Sequence, residues 1–125
     1  MIVVGVDPHK KTHTAVGVNS SIGELVDELT VMARKAGHEQ LLQWARGLDD
    51  ERLFALEDCR HVSGALERFL IAHGERVVRV PPKLMAGARR GARSFGKSDP
   101  IDALAVARAA LREPEIGRAS CRERV

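Results

Sequence analysis

The chain has 125 residues, which suits one domain built on one core. Hydrophobic residues make up 44% and charged residues 30%, which excludes a disordered polar chain and a membrane-spanning one; at 3% aromatics the interior must rest on Val, Leu, Ile and Ala. The net charge of +3 leans weakly toward polyanions, and the two cysteines, Cys59 and Cys121, give neither a disulfide framework nor a zinc-ligand spacing, as suits a reducing cytoplasm.

Residues 2–6 are a β-branched run that stops at Asp7-Pro8, which predicts a buried strand ending in a turn. Residues 12–18 predict a second strand, and Asn19-Ser20-Ser21 with Gly23 a second turn. Residues 24–31 alternate as a third strand with Leu25, Leu29 and Val31 on one side, and Asp27 breaks that parity. A helix is expected over residues 37–48, where Leu41, Leu42, Ala45 and Leu48 recur at helical spacing and Trp44 adds packing bulk. Residues 52–56 form the fourth strand. Residues 62–73 form a second amphipathic helix with Val62, Leu66, Phe69 and Leu70 on one face and Gly74 as its stop. Residues 76–80 give a fifth strand closed by Pro81-Pro82, followed by a short helix over 82–90 and a basic loop over 91–96. Ser98 caps a last helix running to about Leu111.

The order β-β-β-α-β-α-β-(α)-α predicts an α/β fold: a mixed sheet that opens with three antiparallel strands, continues through α/β crossovers and is covered by helices. Residues 1–113 are expected to form the one domain. Residues 114–125 carry no apolar period and are expected to be a non-native, disordered tail.

Four acids stand at positions where chemistry can gather. Asp7 follows the first strand, and Glu57 and Asp58 follow the fourth. If those strands are neighbours, their carboxyl ends lie side by side. Asp99 and Asp102 are three apart at a helix start and project from one face. Taken singly, each acid reads equally as a turn residue or a helix cap; the joint arrangement carries the signal. Converging carboxylates repel and take up protons unless cations balance them, and hard oxygen donors suit Mg²⁺ or Mn²⁺. Two such ions can activate an attacking oxygen and stabilise a leaving one in phosphodiester cleavage. Glu57 and Asp58 face opposite ways on a strand, so one of them reaches such a site, and the spacing leaves open which.

From Arg76 to Lys97 there are seven basic residues (Arg76, Arg79, Lys83, Arg89, Arg90, Arg93, Lys97) and no acid. Arg89, Arg90, Arg93 and Lys97 read as contacts to a nucleic-acid backbone or as a solvated basic loop. Lys10 and Lys11, in the first turn, read as phosphate contacts or as solvated turn charges. His9 and His13 lie on a hairpin without an HExxH frame and are not expected to pair on a metal. His61 either helps activate water or simply starts a helix, and Cys59 is expected to be a small packed side chain.

The segments VGVDPHKKTHTAVGV, FALEDCRHVSGALERFLIAHGERVVRVPP and GKSDPIDALAVARAAL together resemble the N-terminal domain of the DEDD transposases of the insertion-sequence 110 family, over about residues 1–113. The most specific piece is Lys97-Ser98-Asp99-Pro100-Ile101-Asp102-Ala103 after the basic loop. The resemblance implies an RNase H-like fold of the RuvC type. It places the family's four catalytic, metal-holding acids on Asp7, Glu57, Asp99 and Asp102, with Mg²⁺ or Mn²⁺ as cofactor. It implies DNA as substrate, an element-encoded guide RNA in some members, and a homo-oligomer in the full-length protein. In that family a second domain supplies a catalytic serine, and this sequence stops before it. Two other readings compete. A non-catalytic nucleic-acid-binding module would be indifferent to Mg²⁺. An actin-like ATPase or sugar kinase also opens with Gly5-x-Asp7, but would need Gly-rich phosphate loops that do not follow here.

Overall fold

The computed structural model describes residues 1–58, 60–81 and 99–112; the side chains of residues 60, 61 and 99–101 lie outside that description. In chain order the elements are β1 (Ile2–Pro8), β2 (Thr12–Asn19), β3 (Leu25–Met32), α1 (Lys35–Leu48), β4 (Arg52–Glu57), α2 (Arg60–Ala72), β5 (Val77–Val80) and α3 (Asp99–Arg112). The expected short helix over 82–90, the loop over 91–96, the Ser98 cap and the tail from 114 fall outside the described residues.

The strands form one sheet in the order β3-β2-β1-β4-β5. β1, β2 and β3 pair antiparallel as successive hairpins, and β4 and β5 extend the sheet parallel to β1. Every residue of β1 is buried, as its unbroken Ile-Val-Val-Gly-Val run demands of a central strand covered on both faces. Alternation then divides the core. Val4, Val6, Phe54 and Leu56 face α1 and α2, where Leu41, Leu66 and Leu70 meet them. Val3, Leu53, Ala55 and Val78 face α3, which answers with Ala103, Val106, Ala107 and Ala110.

Several boundaries differ from expectation, each for a local reason. β1 does not stop before Asp7: Asp7 pairs with Thr14 and Pro8 with His13, because the β1–β2 turn is tight enough for His9 N–H to donate to Thr12 O at 2.9 Å. Asp7 is therefore inside the strand and Glu57 is the last residue of β4, opposite Val80. β3 is an edge strand. Of its three expected inward residues only Val31 is buried, and Leu25 is 45% exposed. A bulge between Gly17 and Val18 shifts the register so that Leu25 pairs with Val18 of the opposite face. The odd member of the β3 pattern, Asp27, has a polar partner: Trp44 Nε1 of α1 donates to its Oδ2 at 3.0 Å. Gly74 ends α2 at φ +79°, a conformation that only glycine adopts freely.

Candidate active site

Strand alternation fixes which acids meet. Val3, Gly5 and Asp7 share one face of β1, and Leu53, Ala55 and Glu57 share the same face of β4. The two strands are adjacent and parallel, with Val6 beside Leu56, so Asp7 and Glu57 end up next to each other at one end of the sheet. Glu57, and not Asp58, holds the parity of the α3 face. α3 packs across β1 and β2, and Asp102 stands in its first turn.

Asp7 is buried, 3% exposed. Burial pushes its carboxyl up to about 6; a hydrogen bond and charge from His9 pull the other way, and the negative charges of Asp102 and Glu57 push it further up. The carboxylates of Glu57 and Asp102 are therefore both within electrostatic reach of Asp7. His9 Nε2 lies 2.8 Å from Asp7 Oδ2, a contact that spacing alone did not suggest. Among the described residues no group of three or more His, Cys, Asp or Glu side chains is gathered tightly enough to enclose an ion. Asp99 begins the α3 backbone, with its side chain outside the description. The donor chemistry fits a hard divalent cation: a buried carboxylate held against two others favours added positive charge, and the donors are oxygens.

His13, grouped with His9 by sequence, faces away from the acids. It is 1% exposed beneath α1, and its ring stacks on His38 at 5.6 Å and 14°. His38 in turn tilts against Phe69 of α2. Burial lowers both imidazoles, His13 to about 4, with the neighbouring histidines adding to the His13 shift. Sequence periodicity could not find this stack, since it joins β2 to α1 across the sheet face.

Lys10 and Lys11 are exposed at the tip of the β1–β2 turn, just past Asp7. The basic stretch is less free than its charge count implied. Arg79 is held by Glu67 of α2, with Nη2 donating to Oε2 at 2.6 Å and Nε to Oε1 at 2.9 Å. Arg89, Arg90, Arg93 and Lys97 lie outside the described residues, as do Cys59 and the side chain of His61. At the other end of the sheet Glu75 is buried and grips Arg52, whose Nη2 donates at 2.9 Å, together with Arg46 at 3.3 Å. Among the described residues no helix is long and apolar enough to cross a membrane.

Solved structures share this architecture. The chain superposes on the Thermus thermophilus RuvC structure with a TM-score of 0.65 and 18% identity, covering 94% of this chain and 97% of that one. It matches T. thermophilus RuvC in complex with Holliday junction substrate at a TM-score of 0.67 and 17% identity, covering 94% and 96%. The fold is thus RNase H-like, of the RuvC type. In sequence, an uncharacterised 44.8 kDa protein of insertion element IS116 from Streptomyces clavuligerus is 35% identical over 109 residues. That match takes in 85% of this chain and 26% of the relative, so the chain spans about a quarter of that protein's length. The family model for transposases of the DEDD, IS110 type matches residues 4–120, and on that extent the chain belongs to the IS110-type DEDD transposase family.

Proposed function

We propose that residues 1–113 are the metal-binding, strand-cleaving domain of a DNA transposase. Asp7, Glu57, Asp99 and Asp102 would hold Mg²⁺ or Mn²⁺. Bound cations would activate the attacking oxygen and stabilise the leaving oxygen of a DNA phosphodiester. The observation that carries the reading is the position of Asp7: buried in the central strand, where burial first, and the charges of Asp102 and Glu57 after it, disfavour its ionised form. Such an arrangement costs stability unless a cation is meant to relieve it.

The chain's own residues supply the frame. β1 and β4 fix Asp7 and Glu57 on rigid neighbouring strands, and α3 brings Asp102 across from the far side. His9 orients the Asp7 carboxylate through its hydrogen bond. Lys10 and Lys11, exposed just past Asp7, would meet phosphates, and the positive charge of Arg89, Arg90, Arg93 and Lys97 would add contacts to the DNA backbone.

The test is Mn²⁺ or Mg²⁺ titration by calorimetry, paired with nicking of branched DNA with and without Mg²⁺. Wild type should bind the ion, and Asp7→Asn or Asp102→Asn should weaken binding about tenfold or more. Binding that survives both substitutions unchanged, or nicking in the presence of chelator, rules the reading out.

A further inference from the structure

Gly5 sits two residues before Asp7 on the same strand face, beneath α3. A Cβ at that position would run into the carbonyl oxygen of Ala103, and would lie 2.6 Å from Ala107 N and 2.7 Å from Ala107 Cβ. Two of these three atoms are helix backbone, which cannot swing aside. Gly17 differs: the closest atom to its virtual Cβ is the far end of the flexible Leu48 side chain, and a Cβ at Gly47 would meet nothing within 4 Å. Ala103 and Ala107 are one turn apart on α3 and straddle Gly5, and Ala103 directly follows Asp102. The helix is seated on the strand, backbone to backbone, right next to the acids.

We infer that Gly5 is a positioning residue: its missing side chain sets how closely α3 approaches β1, and thereby the separation between Asp7 and Asp102. The inference rests on the metal-site reading above and adds to it the element that tunes the site's width. Ordinary contact begins at 3.4 Å, so a methyl at Gly5 forces α3 outward by roughly an ångström or tilts it. A displacement of that size is large for a site that must be held within about half an ångström. Mg²⁺ demands ligands at about 2.0–2.1 Å in near-octahedral geometry, whereas Ca²⁺ accepts about 2.3–2.6 Å and a looser shell. Widening the site therefore penalises Mg²⁺ more than Ca²⁺.

The test is calorimetric titration of Mg²⁺ and, separately, Ca²⁺ into wild type, Gly5→Ala, Ala107→Ser and Gly47→Ala, with far- and near-ultraviolet circular dichroism on each. Ala107→Ser thickens the same contact by one atom from the helix side, and serves if Gly5→Ala fails to fold. Gly47→Ala is the control on the remote helix α1. Gly5→Ala and Ala107→Ser should bind Mg²⁺ about 10- to 100-fold more weakly. Their Ca²⁺ affinity should fall less, so the ratio shifts toward the larger ion; Gly47→Ala should match wild type. A smaller folded fraction would lower both ions alike and leave the ratio still. A folded Gly5→Ala with wild-type affinities and ratio overturns the inference alone. Unfolding of both contact variants overturns it too, since the contact would then be core packing. If wild type binds neither ion, the metal-site reading itself falls and takes the inference with it.

Discussion

Asp7→Asn should stabilise the metal-free protein at neutral pH and above, and not in acid. The carboxyl moves from 3.8 when unfolded to about 6 when folded. At 1.36 kcal/mol per unit, ionised Asp7 costs the fold about 3 kcal/mol. The folded state holds the extra proton between these values, so this contribution is intact below pH 4 and is lost as pH rises through 6. Asn keeps the shape and never ionises. The charge-assisted His9 hydrogen bond is already part of that balance, so the net gain at pH 7.5 should be about 3 kcal/mol. The assay is urea unfolding in chelator from pH 4 to 8, read as the difference in midpoint between the two proteins at constant m. That difference should be near zero at pH 4, open between 4 and 6, and plateau above. Equal midpoints at pH 7.5, or a gap independent of pH, would show that Asp7 is not a destabilised acid. Added Mg²⁺ should raise the wild-type midpoint by more than that of Asp7→Asn.

Three further outcomes are expected. His13 is neutral in the fold and falls to about 4 from 6.5, so its contribution is intact above pH 6.5 and about 3 kcal/mol is lost as pH drops through 4; thermal melts of His13→Leu should show a flatter acid limb than wild type. Glu75→Gln should cost about 3 kcal/mol in urea unfolding by leaving Arg52 short of its counter-charge, with Mg²⁺ affinity unchanged because Glu75 lies at the other end of the sheet. Lys10→Ala and Lys11→Ala should each reduce the salt slope of DNA binding by about one, while Arg79→Ala, already paired to Glu67, should leave that slope alone.

The parts of the fold that depend on neighbouring residues were legible in the sequence. A β-branched run marked β1, helical spacing marked α1 and α2, and Gly74 marked a stop. What was missed is non-local. Spacing cannot tell Glu57 from Asp58 until β4 has a definite face; the resemblance named Glu57, and the parity of Leu53 and Ala55 puts that residue on the α3 face. Asp7 was placed beyond its strand because Asp-Pro reads as a turn, yet pairing to Thr14 and His13 carries the ladder two residues further. The seven-charge basic stretch looked uniform because Glu67, which neutralises Arg79, lies on α2. The His13–His38 stack and the Gly5 seat have no signature along the chain, since each is made by elements that meet only in three dimensions.

The helix that completes the acid cluster comes late. β1 ends at Pro8 and α3 starts at Asp99, so their union closes one of the longest loops in the domain, whereas the β1–β2–β3 hairpins form from adjacent segments. As the polypeptide leaves the ribosome, the sheet can assemble first with Asp7 and Glu57 already side by side and nothing above them. The proposed acid cluster is therefore incomplete while the chain is being made, and is finished only when α3 has been synthesised and docked.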